Sequence, residues 1–247
     1  MNRRWAELAC VAAFFLLATS GGSLWAQDAG GGITVFPLNL QLGAGQRAST
    51  LTVQNHRDSN LQFQIRAFAW NQKNGTDGLM PTDALLVSPP LGTVTAGGNQ
   101  VVRLVLKQPA DVRETSFRIL LDEIPPPARP GAITIALRLS IPIFVKPETR
   151  VAPNLSWSAI TEDGQTYLVA VNDGTSHEVV HDLAIASPSG RSLRIEAAGP
   201  YLLPGATRRW RIDVAGAGLS PGNMLHLTAK ADSGPVDLSI ELRRARP

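Results

Sequence analysis

Residues 132–146 read AITIALRLSIPIFVK. Ile133, Ile135, Leu137, Leu139, Ile141, Ile143 and Val145 occupy every odd position, which is the period-two pattern of a β-strand. Fifteen extended residues span about 50 Å, whereas a usual strand has about 5–6 residues. A sandwich of about 100 residues is too small to cover both faces of such a strand. Pro142 lacks an N–H, so the strand lies at an edge or carries a bulge. Soluble proteins normally avoid a long apolar edge. The stretch therefore bends into two sheets, pairs in a dimer, or is lent to another protein by strand addition.

The same alternation extends in both directions. Before it, β patterns cover 33–42, 49–55, 61–70, 84–88, 100–107 and 115–124, divided by turns such as Gly43-Ala44-Gly45 and by the Pro-rich 125–131. After it, they cover 155–160, 166–172, 178–186, 191–196, 207–214, 224–231 and 236–244. Charges and prolines cluster between the two sets, at 146–153. The fold class is all-β, with two seven-stranded immunoglobulin-like sandwiches at 27–149 and 150–247.

The first 26 residues are read separately. Arg3 and Arg4 precede the apolar run 8–19, and small residues lead to Ala26, as in a cleaved secretory signal. Cleavage there removes Cys10, the single cysteine, so the exported chain folds without a disulfide and is not inserted in a membrane. It also leaves 21 basic and 19 acidic residues from 23 and 20, a balance that supports no nucleic-acid partner. At 44% hydrophobic and 17% charged, the composition excludes a disordered chain.

Catalytic patterns are weak. His177-Glu178-Val179-Val180-His181 matches a zinc-protease spacing, but that chemistry needs a helix, and the segment follows an Asn-Asp-Gly turn and reads as a strand. Asp122 and Glu123 are adjacent in a strand and face opposite sides, so they cannot form an acid–base pair. Phe68, Trp70, Trp157 and Trp210 read as core or rim residues of the sandwiches. The expectation is a non-enzyme without cofactor or metal.

The ordered segments ITVFPLNLQLGAGQR, LTVQN, QIRAFAWNQ, LLVSPPLGTVTAGGNQVVRLVL, SFRILLDEIPPP, LRLSIPIFVKP, VNDGTSHEVV and YLLPGATRRW resemble the periplasmic pilus-assembly chaperones of the chaperone–usher pathway, and more narrowly their archaic branch. The resemblance implies two domains in a boomerang and a chaperone that fills the open groove of a fimbrial subunit with its long strand. The subunit then passes to an outer-membrane usher. It implies Ile133, Ile135, Leu137 and Leu139 as donors, with Ile141 and Ile143 either extending the set or joining the chaperone's own core. The better-known branch anchors the subunit's terminal carboxylate with two cations, whose positions here hold Asn39 and Pro142. Arg118 is the first replacement candidate, followed by Arg138, Arg103 and Lys146. The free strand is expected to be shielded by self-association. The alternative is a secreted two-domain binding or adhesion protein.

Overall fold

The computed structural model describes residues 32–245, apart from 74, 111, 128–130, 132, 133, 150 and 197. The first ten strands are β1 (Ile33–Phe36), β2 (Leu40–Leu42), β3 (Ala48–Asn55), β4 (Leu61–Lys73), β5 (Thr76–Pro81), β6 (Leu85–Ser88), β7 (Leu91–Val94), β8 (Asn99–Leu106), β9 (Thr115–Ile124) and β10 (Arg138–Val145). They form two sheets, one ordered β1-β3-β8-β6, the other β2-β10-β9-β4-β5 with β7 also paired to β4. The inward residues of both meet in one core that includes Leu42, Val53, Phe63, Leu104 and Ile119. Alternation of buried and exposed residues along β8 and β9 produces this face by the two-residue period.

The remaining strands are β11 (Leu155–Glu162), β12 (Gln165–Asn172), β13 (Glu178–Ala186), β14 (Ser192–Ile195), β15 (Tyr201–Leu202), β16 (Thr207–Asp213), β17 (Met224–Ala231) and β18 (Gly234–Arg244). They run β14-β16-β12-β11-β18-β17-β13-β15, and β14 also pairs β13, which closes a barrel-like ring. A register shift between His181 and Ala184, with Asp182 at φ 51°, bends β13 so that its end reaches β14.

Three expectations are corrected. Seven strands per half become ten and eight among the described residues. The second half is a closed ring instead of two separate sheets. The continuous strand over 33–42 breaks at Pro37, which has no N–H for a ladder, and its two pieces enter different sheets.

Candidate functional site

The odd face of β10 changes character along its length. Ile141, Ile143 and Val145 are at most 1% exposed and sit in the N-terminal core. Leu139 packs partly against that core. Leu137 is 36% exposed and Ile135 85%. Ile133 lies outside the described residues.

For Ile141 and Ile143 the burial agrees with the second of the two alternatives, and the expected length of the strand is corrected. Ile141 and Ile143 belong to the protein's own core and have no side chain to offer a partner, because both sheets cover that half. The ladder is also shorter than fifteen residues. It starts at Arg138, opposite Asp122. Beyond Ile124 the facing strand gives way to Pro125, Pro126 and Pro127, which lack the N–H groups a ladder requires.

β10 pairs with β9 along its whole length, but with β2 only through Ile143–Val145. The Glu123 N–H donates to the Leu137 carbonyl at 2.8 Å, so odd residues of this segment turn their backbone groups toward β9. Even residues point the other way, as the Lys146 N–H shows by donating to the Leu42 carbonyl at 2.9 Å. Arg138 and Ser140 thus face an uncovered edge, which ends at Pro142, where the pairing with β2 begins. Pro142 removes no bond from the β9 ladder.

Arg118, on β9, stands opposite Pro142 on one side and Phe68 on the other. Its guanidinium lies 3.8 Å from the Trp70 ring centre and 5.4 Å from that of Tyr201, and Nη1 donates to Ser140 Oγ at 3.3 Å. Burial lowers its pKa from the usual guanidinium value; Asp77 and Tyr201 oppose that change and Arg208 adds to it. Asp77 itself is taken up by Gln72 Nε2 (2.8 Å), Arg208 Nη2 (3.0 Å) and Trp70 Nε1 (3.2 Å). A cation thus sits one strand away from the Pro142 position, between the two domains.

The other candidates are placed differently. Arg138 is paired with Asp122, which also accepts from Arg66 at 2.6 Å. Burial pushes the Asp122 carboxyl up, but these two guanidinium groups hold it below its ordinary value. Arg103 projects from β8, in the other sheet, opposite Thr50 and Ser88. Lys146 is exposed just past β10, and Asn39 is exposed between β1 and β2.

The floor of the cleft was not legible as such in the sequence. Phe144 faces away from the N-terminal core and stacks on His177 with ring centres 3.5 Å apart and planes 6° apart. Trp70 and Tyr201 complete the cluster, 5.9 Å and 5.6 Å from Phe144. Gln72 accepts from the Leu203 N–H and donates to the Tyr201 carbonyl, both at 2.9 Å, while His177 Nδ1 lies 2.6 Å from Glu114 Oε1. These contacts fix one domain on the other. The available signal was the large aromatic Phe144 on the otherwise small or polar even face of 132–146.

His177–His181 is not helical: Glu178–Ala186 is β13, Glu178 is buried and His181 is exposed. Among the described residues, no group of three or more His, Cys, Asp or Glu side chains could hold a metal ion.

Two β domains, a strand whose apolar face runs out of its own core, and a basic cleft make the open end of β10 the candidate binding site. Residues 32–150 of the chain match the family of pili and flagellar-assembly chaperones, PapD N-terminal domain. Its fold is the family's two-domain boomerang. A chain of the crystal structure of the CsuC–CsuE chaperone–tip adhesion subunit pre-assembly complex, from archaic chaperone–usher Csu pili of Acinetobacter baumannii, superposes with a TM-score of 0.66 at 24% identity. That match covers 87% of this chain and all of the other. The structure of Salmonella enterica SafA pilin with the SafB chaperone gives 0.57 at 18%, covering 85% and 95%. The Pseudomonas aeruginosa CupB2 chaperone gives 0.54 at 17%, covering 85% and 100%. No curated protein matches by sequence.

Proposed function

We propose that this chain is a periplasmic chaperone of the archaic chaperone–usher type, exported by a signal cleaved after Ala26 and divided at 149/150. It captures fimbrial subunits on its long edge segment and hands them to an outer-membrane usher. The observation that carries this reading is the odd face of 135–145, apolar throughout, buried at one end and open to solvent at the other. Ile133, Ile135, Leu137 and Leu139 are the donor side chains. Each contributes roughly 1.5–3 kcal/mol gross on burial in a subunit groove. Ordering and association costs take back much of that. The open edge at Arg138 and Ser140 supplies backbone pairing to the same partner.

Arg118 holds the subunit's terminal carboxylate. It supplies charge-assisted donors in a half-buried cleft, where such bonds are strong. Arg138 is already neutralised by Asp122 and plays a lesser part. Without a subunit, the exposed Ile135 and Leu137 favour self-association, which a rise in mass with concentration on size-exclusion chromatography would reveal.

The test is co-expression with a pilus subunit from the same gene cluster. Ile135→Asp and Leu137→Asp abolish the one-to-one complex while leaving the free chaperone folded. Capture at wild-type level by both variants contradicts the reading.

A further inference from the structure

The core-facing series of β9 runs Phe117, Ile119, Leu121 and then Glu123. A carboxylate thus ends an otherwise apolar series, with its side chain only 5% exposed. Its position matters because Leu137 lies opposite, at the point where the lent segment leaves its own sheet. In a regular ladder the Leu137 N–H would bond the Glu123 carbonyl. Here Glu123 Oε2 accepts that N–H at 3.2 Å, while the Glu123 N–H keeps the Leu137 carbonyl at 2.8 Å. Both backbone groups of Leu137 are held by one residue.

The carboxylate is itself fixed. Arg57 Nη1 engages Oε1, and Nη2 engages Oε2 at 3.1 Å. Arg57 comes from the loop between β3 and β4, which buried Asn55 shapes. Asn55 Nδ2 contacts the carbonyls of Ser59, Thr95 and Val94 at 2.8, 3.0 and 3.1 Å, and its Oδ1 accepts the Arg57 N–H at 3.1 Å. The chain of contacts runs from the loop braced by Asn55 to the root of the segment.

We infer that Glu123, oriented by Arg57, is a positioning latch: it sets where the chain departs from β9 and holds Leu137 in strand geometry for the incoming subunit. Residues fixed in advance lose less freedom on binding, so the latch strengthens capture without touching the partner. This inference rests on the donor-strand reading above.

The experiment uses Glu123→Gln and Arg57→Gln in the full chaperone. Glutamine is neutral and puts an NH2 donor in place of one carboxylate oxygen, so it loses the two-oxygen, charge-assisted grip of Arg57 that orients the acceptor of the Leu137 N–H. Arg57→Gln leaves Glu123 intact and carries the test if Glu123→Gln does not fold. Amide exchange is measured at Leu137 in the free chaperone. Release of a co-expressed pilus subunit is measured by chase with excess wild-type chaperone. The latch predicts exchange at Leu137 at least about tenfold faster, subunit release about fivefold faster, and a double variant no worse than either single. Amides in the β3–β8 ladder keep their protection, which a general loss of stability would not spare. Unchanged exchange and release in the folded variants overturn the inference. Ile135→Asp separates the two ideas. If it captures subunit normally, the donor-strand reading falls; if it loses capture while the latch variants behave as wild type, only the latch falls.

Discussion

In the C-terminal domain, β14 pairs on both sides and seven strands close into a ring; in the N-terminal domain, β10 is uncovered along Arg138–Ser140. Closure removes the exposed N–H and C=O rows that invite foreign strands. The N-terminal domain keeps such a row beside its most apolar segment, and only Pro142 blunts it. One chain thus shows both treatments of a sheet edge, and the open one lies where the odd-face side chains emerge from the core. The open stretch of β10 is the one the proposed strand addition would use.

Substitutions can break this contrast. Ile135→Asp and Leu137→Asp produce the largest effect, complete loss of the chaperone–subunit complex on size-exclusion chromatography. Their melting temperatures stay near wild type because both sites are exposed. Ile143→Ala, in the buried half of the same strand, and Leu227→Ala, in the ring, do the reverse. Each removes a fully buried side chain and costs about 2–5 kcal/mol in denaturant unfolding. Folded molecules of either variant still capture subunit. The same strand then yields binding variants at one end and stability variants at the other.

Arg118→Ala sharpens the placement of the cleft. Losing charge-assisted bonds worth about 1.5–3 kcal/mol weakens subunit affinity roughly ten- to a hundredfold. Arg138→Ala has a smaller effect, since Asp122 keeps Arg66 as a partner. Titration calorimetry with a subunit's C-terminal peptide distinguishes the two. The smallest effect is that of pH. Hydrogen bonding from Arg57 lowers the Glu123 pKa; burial opposes this and the Leu137 N–H assists it. A depressed carboxylate stabilises the fold above its unfolded pKa, and that contribution is lost as pH falls through the folded value. Thermal melts therefore hold steady through neutral pH and drop only below about pH 4.

The all-β class and the anomalous strand were legible because alternation and a misplaced run of aliphatics are local signals. The end of the usable segment was not. Ile135 and Ile143 look alike in sequence, and only the second sheet, brought in from distant residues, decides which is buried. The C-terminal ring escaped because β14 has four residues and pairs both ways, which no periodicity announces. The Trp70–Phe144–Tyr201 floor joins residues more than 50 positions apart. Glu123 was visible as a neighbour of Asp122, but its bond to Leu137 depends on where β9 ends.

The central claim is that this chain lends the segment around 134–140 to its partner. Residue-resolved hydrogen exchange on the free chaperone and on its subunit complex tests it most directly. The Arg138 and Ser140 amides face the open edge; they exchange fast in the free protein and become protected in the complex, together with Ile135 and Ala136. If these amides exchange equally fast in both states while protection appears elsewhere on the molecule, the segment is not lent and the account is wrong.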